Sequence, residues 1–418
     1  MELSNISDLM TAELSSGFGI LLFIGIAAVY TIGQYFILHF SKSETKAATA
    51  RNRNLLWVSK VVTYSQYMLI SFFAIVILQI LILERYNSAI LVLAVTLSNG
   101  LGILSMIVLA QRLLSYYKWE KDPIVLTYGI SAVIVAITAL VTAMFMGGAL
   151  LNKPVIVYPE FEINFPAFEA NSIMGLLNYS YYILAIISFI SIWFGTFLLM
   201  NQYSRLMGNR RKILSVMAII LGFYLSQVLI IYLSPYFIFD RADLTSFLFY
   251  YRVIFTISST IGGILFCIPY LQITQKFKRA PSVRKYSIIS ASGLILFFVA
   301  GSATVYQTPY PPFGLATVSL IGLSSYLVLL GIYSLAISVS EDERLRRFTL
   351  KTAREFKFLH SMGLAEQGQE IEKRVTKFKD NIVEDTGIEP SFNEDDMKQY
   401  LYRALEEVQR KKKEPEQK

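Results

Sequence analysis

Thr245-Ser246-Phe247-Leu248-Phe249-Tyr250-Tyr251-Arg252-Val253-Ile254-Phe255-Thr256 opens an apolar stretch, Thr245 to Arg279, long enough to cross a bilayer. Arg252 reads as the one charge inside an apolar span of the chain. At 3.6 residues per turn, Arg252, Thr256, Ser259 and Gly263 share a face, while Phe249, Ile254, Phe255, Ile257, Ile261 and Phe266 cover much of the rest. An arginine at membrane depth is costly unless it snorkels or is paired, so that face is expected to point into a helix bundle.

The composition agrees with this reading. The chain has 418 residues, is 54% hydrophobic and 16% charged, and has a mean hydropathy of +0.50, too apolar for one soluble core of such length. The net charge of +8 is no sign of nucleic-acid binding. Of the 38 Lys+Arg and 30 Asp+Glu, 21 and 12 precede Glu341, so the basic excess belongs to the apolar part. The single cysteine, Cys267, cannot form an internal disulfide. Residues 1–16 carry Glu2, Asp8 and Glu13 and no basic residue, so the first span is expected to stay as an uncleaved anchor.

Nine stretches meet the span criterion: Gly17–Phe40, Val61–Leu83, Ala89–Ala110, Ile124–Met146, Ile173–Met200, Ile213–Leu233, Thr245–Leu271, Tyr286–Val305 and Leu315–Val339. The segments after the odd-numbered spans up to the seventh hold 17 Lys+Arg, among them Arg112, Lys118 and Lys121, against 3 on the other side. This division places the N-terminus outside and the C-terminus in the cytoplasm of a multi-pass protein of the cell membrane. The fold expected is all-α: an extracellular tail at 1–16, a polytopic bundle of nine transmembrane helices at 17–340, and an amphipathic helical cytoplasmic tail at 341–418.

Two outer loops stand out. Gly147–Ser172 carries three prolines and Glu160, Glu162 and Glu169, and is expected to be a solvated loop. The proline-rich Tyr306–Gly314 is expected to be a stiff spacer. Its Tyr310-Pro311-Pro312-Phe313-Gly314 turn, the Ser338-Val339-Ser340-Glu341-Asp342 junction, and the stretches Thr386–Ser391 and Asp396–Leu401 are similar to uncharacterised multi-span membrane proteins of ammonia-oxidising archaea. The resemblance covers about the last quarter of the chain. It implies an archaeal source and residence in the plasma membrane, and no activity.

In the tail, Leu345, Phe348, Thr352, Phe356 and Leu359 follow at steps of three and four, which predicts an amphipathic helix continuing from the ninth span. Arg344, Arg346, Arg347, Lys351, Arg354 and Lys357 make it basic and suit it to anionic headgroups. Gly363 and Gly368 are expected to weaken the helix before the pattern resumes at Ile371. A capping box at Ser391-Phe392-Asn393-Glu394 opens a third helix. Three such helices pack on each other, on the inner face of the bundle, or on another chain, either a protein partner or a second copy.

The residues exclude more chemistry than they offer. Asp, Glu and Lys are missing from the spans, which counts against an ion-coupled carrier and rules out a Schiff base there. Two histidines, His39 and His360, make neither a zinc motif nor a bis-histidine haem site, and His360 reads as a solvated helix-end residue. No catalytic residue, metal site or cofactor is expected. The candidate ligand site gathers Arg252, Glu84, Thr256, Ser259, Asn99 and Gln227. The plainer reading of the buried amides is hydrogen bonding between helices, and that of Arg252 is snorkelling or a structural ion pair. The function read from these features is that of a non-catalytic sensor, ligand-binding or scaffold protein. Its alternatives are a permease or channel for a small solute, and a membrane-embedded lipid or glycan enzyme.

Overall fold

The computed structural model describes residues 25, 28–40, 42–43, 53–83, 87–151, 172–207, 210–237, 241–277, 280–307, 313–351 and 356–386. They are almost entirely helical. We number the helices α1 (28–40), α2 (Arg53–Leu83), α3 (Ser88–Glu120), α4 (Pro123–Leu151), α5 (Ile173–Met207), α6 (Arg210–Phe237), α7 (Arg241–Lys276), α8 (Pro281–Gln307), α9 (Phe313–Glu341), α10 (Glu343–Lys351) and α11 (Lys357–Thr386). Among the described residues, helices α2 to α9 are the eight that are long and apolar enough to cross a membrane. Residues 17–24, 26 and 27 of the first expected span, most of the two long loops and all of the third tail helix lie outside the described residues, as do the side chains of α7 up to Val253.

Helix ends follow local chemistry more than hydropathy. Asn87 caps α3, its side chain accepting from Ala89 N at 2.9 Å. The apolar run stops at Ala110, but the helix continues to Glu120 and ends where Lys121 turns left-handed, at φ 48°, with its N–H on Tyr117 O. Arg112 and Lys118 are therefore helical, where a loop was expected. Asp122 and Pro123 then start α4, with Asp122 Oδ1 accepting from Ile124 N at 3.0 Å.

Helix α9 is the axis of the bundle. Every residue from 321 to 337 on it is buried, and it packs on α2, α3, α8, α10 and α11. Small residues let the backbones approach. A Cβ on Gly331 would stand 2.6 Å from Ser290 N on α8, and one on Gly322 would stand 2.9 Å from Ser98 O on α3. Ser98 Oγ also donates to Val318 O at 2.5 Å. Buried amides add to this interhelical bonding: Gln34 Nε2 donates to Gln66 Oε1, and Gln66 Nε2 to Ser319 O at 3.3 Å. On the other side, the Phe189 ring of α5 stacks on Tyr224 of α6 at 3.5 Å and meets Phe266 of α7 and Phe298 of α8. Phe255 and Phe266 are thus buried, although they fall off the polar face of α7.

The tail differs from its expected form in two ways, and of the packing partners left open its second helix takes the bundle. The helix from α9 is broken at Asp342, whose Oδ1 caps α10 by accepting from Arg344 N at 2.8 Å. Helix α11 runs unbroken through Gly363 and Gly368 to Thr386. And its first half packs on α3, α4 and α9, at the end of the bundle we call the tail end.

Candidate functional site

Two features of the bundle have the build of a site, an intrabundle cavity and the seat of α11. The cavity, of about 100 Å³ and half enclosed, lies among α3 to α9. Apolar walls, among them Val135, Ala139, Phe255, Phe297 and Ile321, carry polar groups that include Asn99, Thr138, Ser188, Tyr224, Ser259 and Ser302. None of the lining residues is charged. A bare ion there would meet no compensating charge, whereas a neutral molecule with one or two hydrogen-bonding groups is accommodated.

The structure brings together Asn99 and Ser259 of the six expected ligand residues. Asn99 Nδ2 donates to Val95 O at 2.9 Å, which leaves its second N–H and its amide oxygen for a ligand. Gln227 is 2% exposed and lies beside the hydroxyl of Tyr224, a cavity residue, yet has no hydrogen bond of ordinary geometry among the described residues. Thr256 is half-buried one turn from Ser259, outside the lining. Glu84 and the side chain of Arg252 lie outside the described residues.

At the tail end the bundle is closed by rings. Phe356 meets Tyr203 at 5.3 Å and Phe277 at 5.1 Å, and Phe358 meets Tyr128 at 5.6 Å. Phe356, Phe358, Leu359, Met362 and Ala365 are at most 2% exposed, a burial no solvated tail would show. A row of polar contacts holds the next turns of α11. Ser361 Oγ donates to Asp122 Oδ2 at 3.0 Å, Tyr116 OH to Glu366 Oε2 at 2.5 Å, and Gln369 Nε2 to Ser115 Oγ at 2.8 Å. Asp122 is fully buried, with one oxygen on the start of α4 and the other on α11, so its charge is compensated by a helix N-terminus.

The two tail glycines are contact points. A Cβ at Gly363 would stand 2.5 Å from Val339 Cγ1, and one at Gly368 would stand 2.8 Å from Trp119 Cζ3. His360 sits on the first turn of α11 and is half-buried, which lowers its pKa from the usual histidine value; the expected solvated histidine is not found. Of the basic residues assigned to headgroups, Arg344, Arg347 and Lys357 are exposed. Arg347 pairs with Glu343 at 2.6 Å, and Arg346 Nη1 donates to Ser340 O at 2.7 Å, closing the end of α9. Arg354 and the side chain of Lys351 lie outside the described residues.

The sequence reading named none of Asp122, Tyr116, Glu366, Gln369 and Ser361 as site residues. Their one advance signal was the pair of glycines on an otherwise apolar helix face. Among the described residues no group of three or more His, Cys, Asp or Glu converges as a metal site. The eight apolar helices and their packing are those of a multi-pass membrane helix bundle. Compared with protein-family models, curated proteins and solved structures, the chain matches none.

Proposed function

We propose that the chain is a membrane receptor that holds a small neutral, largely apolar molecule in the cavity and passes its occupancy to the tail. The observation that carries this reading is a shared helix. Ile321 of α9 lines the cavity, and Val339 of the same helix, about 27 Å away by helix rise, touches Gly363 of α11. A buried, tightly packed helix transmits a shift at one end to the other, because packed interfaces resist continuous deformation. The buried layer of rings that the tail forms with the bundle counts against the permease reading.

In this proposal residues 17–40 supply a ninth span. The N-terminus is outside, the C-terminus is cytoplasmic, and the membrane is the plasma membrane of an archaeal cell, from the charge division and the resemblance above. Arg252 and Glu84 would lie towards the outer mouth, with Arg252 about 10 Å from Ser259 by helix rise. The exposed basic residues of α10 would meet membrane lipids, and residues beyond Thr386 would serve a protein partner or a second copy.

Filling the cavity tests the receptor reading. In Ala139→Phe, a neutral molecule that co-purifies with the wild-type protein is expected to be lost, and amide exchange over 357–369 to change. Unchanged exchange, or substrate-specific uptake into proteoliposomes, would overturn it. Labelling of the C-terminus from outside intact cells would overturn the orientation.

A further inference from the structure

We propose that a groove between α2 and α3 at the tail end binds a phosphate-bearing anion, with Arg112 as its anchor. The groove measures about 410 Å³, within the ligand-sized range of roughly 300–1,000 Å³. Its walls are Trp57 and Val58 of α2 and Val108, Gln111, Arg112 and Ser115 of α3.

Arg112 is half-buried and poorly used by the protein itself. A guanidinium has five N–H donors, and among the described residues this one makes a single hydrogen bond, a long one of 3.3 Å from Nη1 to Gln369 Oε1. Its other described contact is the Tyr333 ring, 5.1 Å from Cζ to the centroid. It has no ion pair among the described residues, since Glu366 on α11 accepts from Tyr116 instead. A half-buried guanidinium with free donors on a groove is suited to bidentate contact with a tetrahedral oxyanion.

The rest of the groove fits the same ligand. Ser115 Oγ accepts from Gln369 and keeps its own proton to donate. The Gln111 amide adds further donors. Arg112 is about 12 Å from the end of α3 by helix rise, in the part of the bundle that carries the tail. Trp57 is 58% exposed and walls the groove, and Lys60, exposed one turn further on α2, extends the positive field. Val58 and Val108 offer an apolar run below the charge. The phosphate chemistry is shared by a phospholipid headgroup and a soluble phosphate ester.

The full chain in nanodiscs separates the two sources. One arm compares phosphatidylcholine discs with discs holding one-fifth phosphatidylglycerol, and counts retained lipids by native mass spectrometry. The other titrates inorganic phosphate and glycerol phosphate into phosphatidylcholine discs, following tryptophan emission with Trp57→Phe as the control. Binding in either arm is expected to weaken roughly tenfold in Arg112→Gln and in Ser115→Asp. The second variant keeps an acceptor for Gln369, so tail docking is preserved while a negative charge faces the guanidinium. Retention in the lipid arm alone identifies a headgroup, and a saturable response in the soluble arm identifies a free phosphate ester; both support the site. Binding that is absent, or equal in wild type and both variants, overturns the proposal. So does a loss confined to Arg112→Gln, which would trace to the displaced tail.

Discussion

At Gly363 the backbone of α11 comes so close to α9 that an added Cβ would stand 2.5 Å from Val339 Cγ1 and 3.1 Å from Val339 Cβ. Val339 is 1% exposed and β-branched, so it has little room and few rotamers with which to give way. A glycine in mid-helix costs about 1 kcal/mol against alanine, and here the loss is offset by the contact it permits. Gly363→Leu should therefore improve the helix as an isolated peptide and weaken its docking, by about 1–3 kcal/mol for overpacking. Hydrogen exchange over 357–369 should quicken in this variant while exchange in α9 stays slow; equal protection in both proteins would contradict the contact. The contact between Tyr116 and Glu366 works in the opposite direction, by attraction. A hydrogen bond to a charged group is worth about 1.5–3 kcal/mol, so Tyr116→Phe should loosen the same turns of α11. Glu366→Gln, which keeps an acceptor, should loosen them less.

For the elements, the sequence was legible where one helix faces lipid or core and illegible where two distant segments meet. Seven of the apolar runs from Val61 onward matched helices α2 to α8, and the eighth matched α9, because an uninterrupted apolar run of span length has few other folded forms. The end of α3 was missed because hydropathy marks where the apolar run stops, whereas the helix stops only at the left-handed turn of Lys121. Two of the six expected ligand residues, Asn99 and Ser259, line the cavity, and these could be read as polar residues in apolar helices. The tail seat could not, since Tyr116 meets Glu366 and Asp122 meets Ser361 across some 240 to 250 residues, a pairing with no period in the sequence. His360 gives α11 a dependence on pH. Burial alone lowers its pKa, so the docked state holds the neutral imidazole and the undocked state takes up a proton first. Stability from this group is complete above the unperturbed value, about 6.5, and is lost as pH falls below it towards the lowered one. Protection factors in the first turns of α11, which are corrected for the intrinsic pH dependence of amide exchange, should thus fall on acidification through that window. His360→Gln should flatten the response, and a wild-type response that ran the other way would refute the assignment.

Across the whole molecule, the rings of α11 complete the bundle that the membrane helices leave open at the tail end. Phe356 and Phe358 join Tyr128, Tyr203 and Phe277 in one buried layer, and deeper in the same core lies Cys267, the only cysteine of the chain and 2% exposed. A truncation to alanine costs about 3–5 kcal/mol for a phenylalanine that stays in place. The double variant Phe356→Ala, Phe358→Ala can escape part of that cost by releasing the tail, so its loss is capped by the docking free energy, and the membrane helices should melt nearly as in the wild type. If docking falls by about 3 kcal/mol, the open population rises on the order of a hundredfold. A maleimide should then modify Cys267 faster by a similar factor, because it reaches the core through the vacated layer. Slow modification in both proteins, with the tail of the variant open to protease, would mean that the layer does not seal the core and that the route to Cys267 is closed by the membrane helices themselves.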